Sequence, residues 1–298
     1  MNIQAGDIVA RRSYDCDVLF RVERIAENGI VHLAGEDLRL YADAPYDDLV
    51  PMSRDELKAY RKQTAKKEAY SFRLFRQDYQ LLKMKRDYTA TGGYVREDRY
   101  FELPGKVLHL DGDANYLKKC LALYEKLGVP VYGHFVKETN MAQEICGWME
   151  KVNPDIVVLT GHDAYVRSKG AKHELNAYRH SRDYISAVKS ARSMISHLDH
   201  LVIFAGACQS HFEGIIRAGA NYASSPRRVN IHALDPVYIA AKISLTSFMD
   251  RVTVWEALKN TLSGEKGVGG VETKGILRTG MPIAGSHDDE DDSSPSNE

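Results

Sequence analysis

A histidine and a cysteine occupy matching places in this chain. His162 follows the run Ile156-Val157-Val158-Leu159 through Thr160-Gly161, and Cys208 follows Leu201-Val202-Ile203-Phe204 through Ala205-Gly206-Ala207. A thiolate is a strong nucleophile, and an imidazole can act beside it as base, or as acid toward a leaving amine. The backbone N–H of Cys208 is a natural oxyanion donor, since the small residues before it let a substrate backbone come close. The pair is 46 positions apart in sequence. Whether they meet depends on the elements that carry them.

Both apolar runs are too short for helices and rich in branched residues, so each reads as a buried strand. From Lys106 onward strands and helices alternate. Val107–Leu110 leads into Asp111-Gly112-Asp113, Val129–Val136 follows, then the His162 and Cys208 strands, and Val229–His232 reads as a fifth. Such alternation predicts an α/β domain, its mainly parallel sheet covered by helices on both faces. The carboxyl ends of neighbouring strands then lie side by side, where ligands bind. His162 and Cys208 fall on that rim, as do Asp111, Asp113, Asp163 and Asp235. Ser210-His211-Phe212-Glu213 has capping-box form, predicting a helix whose positive end lies near the sulfur.

The rest of the chain divides by composition. Residues 1–52 hold five short strand candidates, Asp7–Arg11, Val18–Arg24, Ile30–Leu33, Leu38–Ala42 and Asp48–Val50. Asn28-Gly29 is a hairpin signal, and the unit reads as a small SH3-like β-barrel that docks or presents substrate. Residues 53–105 form a basic linker: Ser53-Arg54-Asp55-Glu56 opens a helix with eleven Lys/Arg against four Asp/Glu between Arg54 and Arg86. A packed face with a solvated basic face accounts for it better than a nucleic-acid surface does. The α/β domain spans 106–264. Residues 265–298 read as a glycine-rich loop and a disordered acidic tail, with self-cleavage expected at Lys266, Lys274 or Arg278.

Composition excludes several classes. The 298 residues are 44% hydrophobic and 27% charged with a formal net charge of −1, which gives no global attraction to nucleic acid. No apolar run reaches membrane-spanning length, and the N-terminus lacks the pattern of a signal peptide, so a cytoplasmic protein is expected. Cys16, Cys120, Cys146 and Cys208 show no CxxC spacing, and His173-Glu174 does not continue to HExxH, so no metal is expected. Neither GxGxxG nor a P-loop is present, so no cofactor is expected either.

The layout of apolar strand, Gly161-His162, helix, apolar strand and Ala207-Cys208 resembles the caspase, gingipain and clostripain clan of cysteine peptidases. With the small β unit, the basic linker helix, Asp111-Gly112-Asp113 and Gly206-Ala207-Cys208-Gln209-Ser210, the whole chain resembles the sporulation-specific YabG peptidases within that setting. The resemblance implies a mother-cell protease that processes spore-coat proteins, with His162 and Cys208 catalytic. It puts the second oxyanion donor on the N–H after the histidine, here Asp163 where the clan has glycine. Clan relatives hold a charged side chain beside the scissile bond. Cleavage after arginine, and less after lysine, is therefore expected, with Asp111 or Asp113, or else Asp235, as partner. The alternative is a non-catalytic adaptor that binds coat proteins or nucleic acid.

Overall fold

The computed structural model describes residues 3–91 and 101–280. Strands β1 (Ile8–Arg11), β2 (Leu19–Ile25), β3 (Ile30–Gly35), β4 (Tyr41–Pro45) and β5 (Leu49–Pro51) form an antiparallel sheet in the order β4-β3-β2-β1-β5. Alternating apolar residues bury one face, with Val9, Phe20, Val22, Val31 and Leu33 at its centre. The β2–β3 turn closes on Gly29, whose positive φ of 78° suits glycine. Leu38–Ala42 does not form one strand. β4 begins only at Tyr41, because residues 36–40 leave the sheet and pair elsewhere.

Helix α1 (Arg54–Thr91) starts with the expected capping box: Ser53 Oγ accepts the Glu56 N–H at 3.2 Å, and the Glu56 carboxylate accepts the Ser53 N–H at 2.9 Å. Phe75 on this helix is buried, 5.7 Å between ring centres from Tyr238, while its basic residues mostly face outward. Strand β6 (Phe101–Leu103) then precedes the α/β domain.

That domain runs β7 (Val107–Asp111), α2 (Ala114–Leu127), β8 (Val131–Phe135), α3 (Met141–Val152), β9 (Ile156–Thr160), α4 (Ser181–Met194), β10 (Val202–Ala205), α5 (Phe212–Arg217), β11 (Tyr222–Ser224) and α6 (Asp235–Ser244). It continues through β12 (Arg251–Val252), α7 (Val254–Leu258), α8 (Gly264–Gly267), β13 (Val268–Gly270), β14 (Thr273–Lys274) and β15 (Arg278–Gly280). The sheet order is β13-β11-β10-β9-β7-β8, parallel except for β13. Side chains alternate across it: Ile156 and Val158 pack under α2 and α6, whereas Val157 and Leu159 pack under α3 and α4.

Two further expectations fail. The fifth parallel strand is β11, not Val229–His232, which runs as irregular chain beside the rim. Residues 264–280 are not a loop. β13 adds an antiparallel edge to β11, β14 pairs with β12, and β15 pairs with β6. The glycines serve close backbone approach: a Cβ on Gly270 would lie 2.3 Å from the Asn221 carbonyl oxygen. Lys266, Lys274 and Arg278 therefore sit in helix or paired strand, which removes the physical ground for cleavage there. The acidic run 288–292 lies outside the described residues.

Candidate active site

The neighbouring strands β9 and β10 pair in parallel, with Ala205 opposite Leu159, so the segments carrying His162 and Cys208 leave the sheet at the same rim. Gly206, at φ 109°, turns the chain so that Cys208 sits behind the strand end. The thiol is fully buried: Sγ accepts the Ile231 N–H at 3.2 Å and lies 3.6 Å from the Ile231 carbonyl. Burial pushes its pKa far above the usual thiol range. No helix end counteracts this. α5 is only 6 residues long and is capped by His211, not by Ser210. The Ser210 hydroxyl instead accepts the Ala207 N–H at 2.9 Å and donates to Asp163 at 2.9 Å.

His162 is buried between two carboxylates. Nε2 lies 3.3 Å from Asp113 Oδ2, without the alignment of a hydrogen bond, and Nδ1 lies 3.7 Å from Glu138 Oε1. Burial alone would lower the imidazole pKa, but Asp113 and Glu138 outweigh it and raise it to about 9. Asp113 is itself fixed as the N-cap of α2, accepting the Asn115 and Tyr116 N–H groups at 2.7 and 3.1 Å. Glu138 follows the end of β8 and accepts the His162 N–H at 2.7 Å. Its carboxylate fits because Gly161 and Gly112 lack side chains; a Cβ on either would come within 2.3 Å of its Oε1.

The remaining component comes from the N-terminal sheet. Arg39, in the β3–β4 loop, crosses into the rim and is fully buried. Its guanidinium donates from Nη1 to Asp111 Oδ1 at 3.0 Å and pairs with Oδ2 at 2.9 Å. It also donates to the Ala233 carbonyl from Nε (3.2 Å) and Nη2 (3.0 Å), while Nη2 lies 3.4 Å from Cys120 Sγ. The Tyr116 ring lines the wall at 5.1 Å. Burial works against ionisation of Asp111, yet Arg39 outweighs it and holds the carboxyl down to about 2. Thr160 Oγ1 donates to Asp111 at 3.0 Å and bonds His109 Nε2 at 2.8 Å, completing a polar floor. His109, Asp111 and Cys120 offer donor atoms within 4.8 Å of one another, a spacing suited to a metal, but the guanidinium is the cation they surround. The backbone carbonyl of Arg39 accepts the Cys208 N–H at 3.0 Å and the Asp163 N–H at 3.4 Å.

Cys208, a carboxylate-flanked imidazole and paired amides on one carbonyl lie along one rim of the sheet. Comparison with known proteins gives the chain a family. The family described as YabG peptidase U57 matches residues 4–282. The sporulation-specific protease YabG of Bacillus subtilis (strain 168) is 56% identical over 286 residues, covering 95% of this chain and 99% of that protein. This chain belongs to the YabG peptidase family. No solved structure matches it significantly.

As a YabG-family peptidase it is a hydrolase of peptide bonds, and the other rim aspartates take distinct places. Asp163 turns its side chain inward: Oδ1 accepts the Ala164 and His180 N–H groups at 2.8 Å each, and Oδ2 accepts the Ser181 and Ser210 hydroxyls at 2.5 and 2.9 Å. It thereby ties the histidine strand end to the Cys208 loop, and its own N–H stays pointed at the Arg39 carbonyl. Asp235 accepts the Leu262, Ser263 and His232 N–H groups at 2.7, 3.2 and 3.3 Å, anchoring the chain after α7 and making no bond to Arg39. Glu138, Tyr116 and Arg39 are not legible as site residues from sequence patterns. Glu138 had one available signal, a carboxylate just beyond the carboxyl end of a predicted strand. Arg39 had none, since nothing local marks a residue of the N-terminal sheet as belonging to a cleft more than 60 positions away.

Proposed function

We propose that this peptidase is a cysteine endopeptidase that cleaves after arginine, with Cys208 as nucleophile and His162 as proton donor to the leaving amine. One observation carries the reading: an arginine carbonyl rests between the N–H groups of Cys208 and Asp163 while its side chain reaches Asp111. Those N–H groups are the donors a tetrahedral oxyanion needs, and Asp111 with the Ala233 carbonyl matches a planar guanidinium better than an ammonium. Lysine in the same pocket would meet Asp111 as a point charge and leave the Ala233 carbonyl poorly paired. Arginine is therefore preferred over lysine.

The chemistry follows from the residues present. The Cys208 thiol gives its proton to His162 in its neutral form as the sulfur adds to the carbonyl carbon, and the two amides take up the charge on oxygen. His162 protonates the departing nitrogen, with Asp113 and Glu138 favouring its charged form. Water then hydrolyses the thioester. We read the parallel sheet with its two reactive strand ends as caspase-like, and the N-terminal sheet as an SH3-like barrel that presents chain to the cleft. The name of the B. subtilis relative supports a role in sporulation, which we read as processing of spore-coat proteins in the mother-cell cytoplasm.

Single substitutions test the dyad. Cys208→Ala and His162→Ala should each lower kcat/KM on arginyl peptides by about 1000-fold or more, and the double variant should fall little further, because the two act as a unit. Near-normal turnover by either single variant would remove it from the mechanism.

A further inference from the structure

Ahead of Arg39 the cleft holds acidic chain. Asp37 and Leu38 run alongside residues 231–233: the Ala233 N–H donates to the Asp37 carbonyl at 2.9 Å, Leu38 bridges His232 in antiparallel sense, and the Arg39 N–H donates to the Ile231 carbonyl at 3.3 Å. Main-chain pairing of this kind fixes where successive side chains point, so each meets its own part of the wall. The buried Asp37 carboxylate lies 2.9 Å from Lys119 Nζ, and the Glu36 carboxylate lies 3.0 Å from Arg61 Nη2. Lys119 Nζ also donates to the Glu36 carbonyl at 3.3 Å. Three of the four residues from Glu36 to Arg39 therefore face a group of opposite charge.

Those two cations belong to a larger space. A cavity of about 920 Å³ opens between α1 and α2 beside Glu36 and Asp37. Arg61, Ala65 and Glu68 bring one face of α1 to it, and Lys119, Ala122 and Lys126 bring one face of α2, each set at helical spacing. With Glu36 and Asp37 set aside, the charged groups of its wall are Arg61, Lys119 and Lys126 against Glu68 alone. Glu68 is turned toward the rim, with Oε1 3.4 Å from His232 Nε2. In a chain whose formal net charge is −1, this is a local excess of positive charge at the mouth of the arginine pocket.

Docking of the N-terminal sheet on the α/β domain would account for either ion pair alone. It does not account for their order. The two acidic residues precede the arginine on one stretch of paired main chain, which ends at the Cys208 and Asp163 amides, and the cationic wall continues past them to Lys126.

We propose that the space between α1 and α2 is a substrate subsite that selects acidic residues two and three places before the scissile arginine, with Lys119 and Arg61 determining that choice. The inference rests on the cysteine-peptidase reading above and adds the chain ahead of the arginine to it. A substrate that takes the place of residues 36–39 sets its arginine on Asp111, the acid two places earlier on Lys119, and the acid three places earlier on Arg61. Lys126, two turns further along α2 than Lys119, is left for acids more distant from the bond. The preferred substrates are acidic segments that end in arginine.

The test uses three fluorogenic tetrapeptides with the same reporter after the arginine, Glu-Asp-Leu-Arg, Gln-Asn-Leu-Arg and Gln-Lys-Leu-Arg, with the wild-type chain and the double variant Arg61→Glu, Lys119→Glu. Ion pairs with one partner this exposed are individually weak, so wild-type kcat/KM is expected to favour the Glu-Asp peptide over the Gln-Asn peptide by about fivefold or more. That advantage should shrink as ionic strength rises from about 0.05 M to about 0.5 M. The double variant should reverse the order and turn over the Gln-Lys peptide faster than the Glu-Asp peptide. A wild-type chain that hydrolyses the Glu-Asp and Gln-Asn peptides equally well overturns the subsite and leaves cleavage after arginine standing. An acidic preference of full size in the double variant also overturns it, since other residues would then carry the choice. A wild-type chain that hydrolyses none of the three removes the cysteine-peptidase reading together with the subsite.

Discussion

Arg39 and Asp111 are both fully buried, so each charge depends on the other to remain where it is. Removing one partner leaves the other ionised without solvent, a loss of about 3–5 kcal/mol in such pairs. Asp111→Asn should therefore lower the free energy of unfolding by about that amount in denaturant titrations. A change under about 0.5 kcal/mol, the size of an ordinary surface substitution, would show that the pair does not form. His162 gives a second residue-scale test. Its folded pKa is raised to about 9, so its stabilising contribution is complete below the unfolded value of about 6.5 and is lost as pH rises through about 9. The melting-temperature gap between wild type and His162→Gln should be widest near pH 6 and shrink steadily toward about pH 9.5. A gap that widens over that range would contradict charge pairing with Asp113 and Glu138. At this scale the places of His162, Cys208, Asp111, Asp113 and Asp163 at the rim were legible in the sequence, because each lies at or just beyond the end of an apolar strand, whereas Asp235 follows irregular chain and opens α6. The sign of the effect on the thiol could not. The apparent capping box at Ser210 suggested a lowered pKa, whereas the Ser210 hydroxyl is committed to Ala207 and Asp163 and burial dominates.

At the scale of elements, the strands that position the site are short apolar runs bounded by small or polar residues, and period alone locates them. β7, β9 and β10 agree with their sequence expectations to within a residue or two at each end. The failures share one cause. Residues 38–42, 229–232 and 264–280 take their conformation from distant partners: Leu38 from His232, Leu40 from Asp163, and Val268–Gly270 from β11. Local composition has no access to such pairings, and glycine read as freedom where it serves close approach. The β9–His162 turn supplies the test at this scale. In Gly161→Ala the new Cβ would meet Glu138 Oε1 at 2.3 Å and Tyr184 Oη at 3.0 Å. Overpacking of this kind costs about 1–3 kcal/mol, and here it would displace the carboxylate that holds His162. Peptide hydrolysis by Gly161→Ala should fall about tenfold or more even at temperatures where circular dichroism reports it fully folded. Unchanged turnover would show that Glu138 does not position the histidine.

On the scale of the whole molecule, the small antiparallel sheet is more than an appendage. It is joined to the α/β domain by α1, whose Asp78 pairs with Lys259 at 2.8 Å and whose Arg61 reaches back to Glu36 at 3.0 Å. Its β3–β4 loop supplies the chain that occupies the cleft. A cavity of about 490 Å³ continues from there between the two units, lined on one side by Phe20, Leu40 and Tyr41 and on the other by Tyr165, Gln209 and Asn230. A longer substrate leaving the reactive bond would enter this space. The central claim is that the pocket floored by Asp111 selects arginine for attack by Cys208. It is tested most directly with fluorogenic peptides that differ only in the residue before the scissile bond, assayed with wild-type and Cys208→Ala protein under conditions where wild-type turnover is linear. Loss of a buried charge pair is worth roughly 2–5 kcal/mol, so the arginine peptide should be hydrolysed at least about 30-fold faster than its alanine counterpart. The lysine peptide should fall between them, and Cys208→Ala should remain at background. Equal turnover of the arginine and alanine peptides, or undiminished arginine cleavage by Cys208→Ala, would contradict it.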